Sequence, residues 1–335
     1  MEWTKKKAVF AILIIAAAST AIGITIYTTK PSDVRIGYLR GDLHQLAYYV
    51  AVNQSFYEEE GLEVQGIAYA NGGEVMTSFE SFNRPIDMAY LGFAPAITHR
   101  FTVANANITV LAGVNVNGTA IVVDNSINSM LDLVGKKVAV PARNNMQDFI
   151  LRMALDDAGL QYENVSTVVG MSGSDMITAL QTGTIDAFVS WEPFPTRGTI
   201  GGSTAKVLVN SSSLWPNHPC CVVAAHDAFI SSHPDIVAKV LKAHVRATRW
   251  VHDNPEAAKR IAMDAMNLSY EQATVAMRNV GFEYDPILPE YVTFLQKLVA
   301  LNPSVSMSSP YIPQGMNESQ FIDYFVNPAI LHSVA

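Results

Sequence analysis

The chain has 335 residues, of which 49% are apolar and only 16% are charged. The apolar content excludes a disordered chain, and the low charge excludes a coiled coil. Acidic residues outnumber basic ones by 30 to 22, giving a formal net charge of −8 that disfavours nucleic-acid binding. A chain of this length suits about two domains.

The pattern of the first thirty residues predicts a signal anchor or a signal peptide. Three lysines at positions 5–7 precede an uncharged run from Ala8 to Tyr27. As a helix this run would be about 30 Å long, which matches the thickness of a bilayer core. The lysines would stay in the cytoplasm, and everything after Pro31 would lie outside. Alanines within the run also offer cleavage sites, so an uncleaved anchor and a cleaved peptide both remain open.

Beyond this segment, short apolar runs typical of strands alternate with stretches typical of helices. Up to residue 117 the pattern predicts strands at 34–39, 62–69, 86–91 and 108–113, and helices at 43–60, at 74–82 and from about residue 95. From 118 to 220 it predicts strands at 120–123, 137–140, 165–169, 185–189 and 207–209, and helices at 129–133, 146–158 and 174–182.

The last part of the chain, 221–335, begins with a predicted return strand at 221–225 and is otherwise mostly helical. Its predicted helices cover 235–253, 255–266, 270–280 and 289–301. The alternation predicts an α/β fold with largely parallel sheets. Because no flexible linker separates the blocks, we expect two lobes joined by short crossings. Lobe I would begin with residues 31–117, lobe II would be 118–220, and residues 221–335 would pack largely on lobe I.

Four motifs follow one another in the order of a known family. They are Arg35–Tyr38 with Tyr57–Val64, Ile86–Ala89 with Leu91–Pro95, Asp132–Pro141, and Ala179–Ala187 with Trp191–Pro193. Between about residues 34 and 260, the chain resembles the extracytoplasmic solute-binding proteins of nitrate/sulfonate/taurine-type ABC transporters. Each motif alone is a weak signal, and the four in register carry the resemblance.

This resemblance implies a two-lobed, type II periplasmic-binding-protein fold. A small anion such as a sulfonate, nitrate or related oxyanion would bind in the cleft between the lobes. The partners would be a permease and its ATPase, and neither catalysis nor a cofactor is expected. The protein would be a monomer outside the cytoplasm, either anchored to the outer face of the cell membrane or secreted.

In open α/β sheets, ligands bind beyond the carboxyl ends of the strands, where helix N-termini attract anions. The residues that we expect there are Tyr38, Arg40, His44, Asn71, Gly72, Gly73, Gly92, Phe93, Ala94, Arg143, Asn144, Asn145, Trp191, Glu192 and His218. Arg143 or Arg40 would pair with an anion, whereas Trp191 or Tyr38 would stack on a flat ligand. Glu192 would repel an anion, so a hinge or supporting role is favoured for it.

A metal site is one alternative to this interpretation. His44, His218, Cys220 and Cys221 carry the imidazole and thiolate groups that soft or borderline metals prefer. Adjacent free cysteines are more often simply buried apolar residues, so the expected metal content is none.

A second resemblance, to eukaryotic thiamine-pyrimidine synthases, gives a further alternative. It rests on His44 early in the first helix and on Cys220–Cys221 as part of that family's cysteine cluster. It implies a binding protein for a thiamine-type pyrimidine or another flat heterocycle, or an iron-dependent synthase that also needs PLP. The synthase is disfavoured because its PLP-bearing lysine should fall near Gly92–Ala94, where the sequence has no lysine.

Overall fold

A computed structural model describes residues 32–104, 106–201 and 203–335, which lie in one compact unit, Ser32–Ala335. The predicted anchor or signal peptide at 1–30 falls outside the described residues. Within the described ranges, no helix is both long enough and apolar enough to cross a bilayer.

The described strands form two sheets. In chain order they are β1 (Val34–Leu39), β2 (Val64–Tyr69), β3 (Met88–Gly92), β4 (Ile108–Asn117), β5 (Thr119–Asp124), β6 (Lys137–Ala139), β7 (Ser166–Val168), β8 (Ala187–Trp191), β9 (Ala205–Asn210), β10 (Pro219–His226) and β11 (Val280–Phe282). The first sheet has the order β11-β4-β10-β3-β1-β2, and the second has the order β7-β6-β8-β5-β9. The sequence pattern located all of these strands except β11.

Helices connect and cover the strands. They are α1 (Leu46–Asn53), α2 (Phe56–Glu59), α3 (Gly72–Glu80), α4 (Phe93–Thr102), α5 (Met146–Asp157), α6 (Gly173–Gln181), α7 (Phe194–Thr199), α8 (Ser211–Leu214), α9 (Asp227–Ser232), α10 (Pro234–Asp253), α11 (Pro255–Met266), α12 (Tyr270–Arg278), α13 (Leu288–Leu301), α14 (Glu318–Phe325) and α15 (Ala329–Val334). Short 3₁₀ turns occupy Leu43–Gln45, Met130–Leu133 and Tyr162–Asn164.

The expectation of largely parallel sheets is wrong. Strand β1 pairs in parallel with β2 and β3, and β6 pairs in parallel with β7 and β8. The remaining described pairs, β3–β10, β4–β10, β4–β11, β5–β8 and β5–β9, are antiparallel. The reversal arises because β10 returns to the first sheet and inserts between β3 and β4, next to strands that are distant in sequence.

The chain passes between the two sheets at two places. Strand β4 leads through Gly118 directly into β5, and residues 211–218 lead from β9 back to β10. The carbonyl oxygen of Gly118 accepts the N–H of Glu192 at 2.9 Å, and the Glu192 carbonyl accepts the N–H of Leu43 at 3.0 Å. The first crossing is therefore tied to both sheets. The division into lobes at residues 118 and 220 stays a prediction.

The predicted helix at 43–60 is in fact three short pieces. It begins as a 3₁₀ turn, continues as α1, and breaks before α2 at Ser55, which has a left-handed φ of 57°. The sequence pattern also missed the short helices α7, α8 and α9 and the two C-terminal helices α14 and α15. Helices of four to eight residues span too few turns for apolar periodicity to reveal them.

Candidate ligand-binding site

A small cavity of about 20 Å³ lies between the two sheets. It is lined by Leu39, Asp42, His44, Gly72, Gly92, Pro95, Asn145, Met146, Gln147, Trp191, Cys220 and Cys221. The space holds about one water-sized molecule. Because its walls come from both sheets, a change in their separation would change its size.

The cavity lies where the fold rule for α/β sheets places a ligand. Strands β1, β3 and β8 end at its wall with Leu39, Gly92 and Trp191. Helices α3, α4 and α5 begin at or beside the same wall, so their positive dipole ends converge on the cavity. A Cβ atom on Gly72 would lie 2.6 Å from Pro95, so glycine is needed for this close approach.

Two buried N–H donors in the cavity wall lack acceptors. Among the described residues, neither Trp191 Nε1 nor Asn145 Nδ2 has a hydrogen-bond partner, although these side chains are only 4% and 3% exposed. The Oδ1 atom of Asn145 caps helix α5 by accepting the N–H of Asp148 at 2.9 Å, which fixes the amide group in place. Buried polar groups are normally paired, so these donors call for an acceptor supplied by a ligand.

The opposite wall carries an oriented imidazole. His44 is buried in the first turn after β1, where its N–H is accepted by Asp42 Oδ1 at 3.0 Å. Its Nε2 lies 2.9 Å from the carbonyl oxygen of Gly118. Because a carbonyl only accepts, Nε2 carries the hydrogen, and Nδ1 of the neutral ring presents a lone pair.

Both cysteine thiols face that lone pair. The distances from His44 Nδ1 are 3.4 Å to Cys220 Sγ and 3.8 Å to Cys221 Sγ. Consecutive side chains normally point to opposite faces of a strand. In β10, however, the register against β4 shifts on both sides of Cys221, and this irregularity allows both thiols to approach one histidine.

The charges of this cluster depend on one another. A hydrogen bond from Cys221 and the neighbouring His44 lower the pKa of the Cys220 thiol. That hydrogen bond and burial raise the pKa of Cys221. Burial alone would lower the pKa of His44, but Cys220 and Asp42 outweigh it and raise the value. The protonation of His44 is therefore linked to that of the two thiols.

The structure brings some of the predicted site residues together and leaves the others elsewhere. Those that line the cavity are His44, Gly72, Gly92, Asn145 and Trp191. Those that do not line it are Tyr38, Arg40, Asn71, Gly73, Phe93, Ala94, Arg143, Asn144, Glu192 and His218. The assignment of a ligand to any of these residues stays a prediction.

Neither arginine that was expected to pair with an anion lines the cavity. Arg143 donates to the hydroxyl of Tyr162 and lies 4.0 Å from Asp148 Oδ1, with its side chain 47% exposed. Arg40 is exposed. The described part of the cavity wall thus contains neither lysine nor arginine.

Glu192 instead supports the connection between the sheets. It is buried, and its Oε1 accepts a hydrogen bond from Asn279 at 2.6 Å. Burial raises the pKa of its carboxyl group. This contact turns the carboxyl group toward a protein partner, and the hinge or supporting role of Glu192 stays a prediction.

Three more of the predicted residues, Tyr38, Phe93 and His218, have structural contacts. Tyr38 stacks on Tyr48 with ring centroids 4.6 Å apart. Phe93 packs edge-on against Tyr291 at 4.6 Å, within the core. His218 Nδ1 donates to the carbonyl of Pro219 at 3.1 Å.

Several members of the wall were not among the predicted site residues, although they fall in or beside loops that follow predicted strands. They are Leu39, Asp42, Pro95, Met146 and Gln147. Asp42 offered a recognisable signal, since an aspartate directly before a helical turn is a typical cap.

Comparison with known proteins identifies the family. A model described as the NMT1-like family matches residues 28–265, which is more than half of the chain. The chain belongs to the NMT1-like family. This finding confirms the resemblance carried by the four motifs. Among curated relatives of this NMT1-like chain, the taurine-binding periplasmic protein of Escherichia coli is 24% identical over 249 residues, covering 73% of this chain and 72% of that protein.

Solved structures share the fold of this NMT1-like protein. The periplasmic nitrate-binding protein NrtA from Synechocystis has a TM-score of 0.76 at 16% identity, covering 90% of this chain and 88% of that one. A zinc-bound ligand-binding component of an ABC-type import system from Staphylococcus aureus has a TM-score of 0.74 at 17% identity, covering 90% and 98%. These likenesses show that the fold is that of periplasmic binding proteins, as expected.

Proposed function

We propose that this protein is the solute-binding component of an ABC importer and that it captures a small anion between its two sheets. The class of anion would be a sulfonate, nitrate or a related oxyanion. A permease and its ATPase would receive the ligand from the extracytoplasmic side, with residues 1–30 holding the protein at the membrane if they are not cleaved. Family membership, the taurine-binding relative and the shared fold support this proposal.

The observation that carries the proposal is a pair of donors in the cavity wall that have no acceptor among the described residues. Trp191 Nε1 and Asn145 Nδ2 belong to the second sheet's side of the wall, and both can only donate. An oxyanion offers acceptors in several directions, so it can satisfy both donors at once. Helix N-termini beside them add positive potential without a lysine or arginine.

Binding requires the two walls to separate and close again. The cavity holds about one water-sized molecule, so a larger ligand needs a wider cleft. Such hinge closure is common in two-part binding proteins. A flat heterocycle has less support than a small anion, because the cavity is small and Tyr38 already stacks on Tyr48.

The replacement Trp191→Phe tests the proposal, because it keeps an aromatic ring but removes the N–H donor. Isothermal titration of the purified full-length chain with nitrate, taurine, longer alkanesulfonates and a thiamine-type pyrimidine should give binding with at least one anion. Trp191→Phe should weaken that binding by about 10–100-fold, since a hydrogen bond to a charged group contributes about 1.5–3 kcal/mol.

The matched control is Trp250→Phe. Trp250 is a half-buried residue of α10 and does not line the cavity. This variant should leave the affinity for the anion unchanged. Binding of the pyrimidine alone, or an anion affinity that Trp191→Phe does not reduce, would contradict the proposal.

A further inference from the structure

Three potential metal ligands converge at the cavity. The atoms His44 Nδ1, Cys220 Sγ and Cys221 Sγ all lie within 4.8 Å of one another, and all three residues are buried. Their positions are set by the tertiary fold, since His44 is 176 residues away from Cys220 in the sequence.

The spacing of these atoms matches a tetrahedral metal centre. With zinc–sulfur bonds of about 2.3 Å and zinc–nitrogen bonds of about 2.0–2.1 Å, a tetrahedral angle separates sulfur from nitrogen by about 3.6 Å. The observed distances from His44 Nδ1 are 3.4 Å and 3.8 Å, on either side of that value. An ion could therefore bind with only small movements of the side chains.

The surroundings orient the imidazole as metal sites usually do. Metal-binding histidines commonly donate their other N–H to a carbonyl or carboxylate, which fixes the tautomer. His44 Nε2 makes this bond to the carbonyl of Gly118. Asp42 Oδ1 lies 3.7 Å from His44 Nδ1 and places a carboxyl group beside the three ligand atoms.

We propose that His44, Cys220 and Cys221 bind a thiophilic divalent metal ion of the zinc class, and that the captured anion occupies the ion's open coordination position. This inference rests on the proposed function, because the metal and the anion would share one cleft. Binding releases the two thiol protons to solvent, and the two thiolates then balance the charge of the ion.

This arrangement gives the anion a metal centre to coordinate, in a wall whose described residues include no lysine or arginine. No lysine or arginine of the described residues lines the cavity, and both candidate arginines lie elsewhere. With three ligands from the protein, a tetrahedral ion keeps one position for an exogenous ligand. An anion bound there would also face the N–H donors of Trp191 and Asn145 across the cavity.

Cobalt(II) is a suitable probe because its tetrahedral thiolate complexes absorb in the visible and near-ultraviolet regions. The full-length chain, reduced and freed of metal with a chelator, should bind one cobalt(II) ion and show a thiolate-to-cobalt charge-transfer band. Cys220→Ser and Cys221→Ser should each reduce this band by about half. Each should weaken cobalt binding by at least about 100-fold, since loss of even an outer-shell partner costs about 10–100-fold.

The exposed His233 provides a control, because His233→Gln leaves the cluster untouched. Thermal melting of both serine variants checks that they are folded, and His44→Gln provides a third, independent loss of a ligand. Absence of cobalt binding in the folded wild-type chain would overturn the inference. A charge-transfer band that persists unchanged in both serine variants would do the same.

A parallel titration separates this inference from the proposed function. If the chelated protein binds the anion as tightly as the metal-loaded protein does, the metal inference fails and the proposed function stands. If cobalt binds as described but none of the anions binds, the role of the metal in anion capture is overturned together with the proposed function. If metal raises anion affinity about tenfold or more, both stand.

Discussion

Asn145→Asp should strongly weaken anion binding while leaving the fold intact. The side chain of Asn145 has two separate roles, since Oδ1 caps helix α5 and Nδ2, which has no partner in the described part of the chain, is available to a ligand. Aspartate retains the capping oxygen and suits a helix N-terminus, so stability should change little. At the cavity, however, a donor is replaced by a negative charge.

The expected loss of affinity is on the order of 1000-fold. Two like charges about 4 Å apart repel by about 4 kcal/mol at an effective dielectric constant of about 20, and each 1.4 kcal/mol is about tenfold in affinity. Isothermal titration with the anion that binds the wild-type chain gives this value directly. Urea unfolding of the same sample checks that stability is retained.

Asn317→Asp is the matched control for this variant. Asn317 caps helix α14 in the same way, with its Oδ1 accepting the N–H of Gln320 at 3.0 Å, but it is exposed and away from the cavity. The same chemical change there should leave binding intact. Equal affinities for Asn145→Asp and the wild-type chain would show that the anion does not contact this wall.

Gly118→Ala should be strongly destabilising and should displace His44. Gly118 has a φ of +87°, and a Cβ atom there would lie 2.3 Å from His44 Nε2 and 2.9 Å from Val280. Backbone strain of about 1–3 kcal/mol and a steric penalty of similar size add together. We expect the free energy of unfolding to fall by about 2–6 kcal/mol, as measured by urea unfolding.

Gly135→Ala separates the two contributions. Gly135 also has a positive φ, +76°, but nothing lies within 4 Å of a Cβ atom at that position. The free energy of unfolding of this variant should therefore fall only by the cost of the strained backbone, about 1 kcal/mol. If Gly118→Ala were no more destabilising than Gly135→Ala, the contact between His44 and the chain crossing would not be as tight as the structure shows.

The position of the cavity could be predicted from the sequence because it depends on local patterns. Apolar runs ending in Leu39, Leu91 and Val189 marked strands whose carboxyl ends do meet at the cavity. Gly72 and Gly92 were expected at these strand ends, and both backbones do approach neighbouring residues closely there. Strand ends and helix starts are properties of neighbouring residues.

The direction of individual side chains could not be predicted, because it depends on partners that are distant in sequence. Arg143 follows a predicted strand, yet it turns to Tyr162, 19 residues further on, and to Asp148. The approach of both thiols to His44 depends on a shift of register between β10 and β4, which no pattern within β10 indicates. For the same reason, the sequence pattern did not show that β10 inserts antiparallel between β3 and β4.

The most direct test of the central claim is a nuclear magnetic resonance measurement of the Trp191 indole N–H. In the ¹⁵N-labelled full-length chain, Trp191→Phe identifies this signal by its disappearance. Addition of the bound anion should move the signal downfield and slow its exchange with water, while the indole signal of Trp250 stays in place. An unchanged Trp191 signal at saturating anion would contradict capture of the ligand at this cavity.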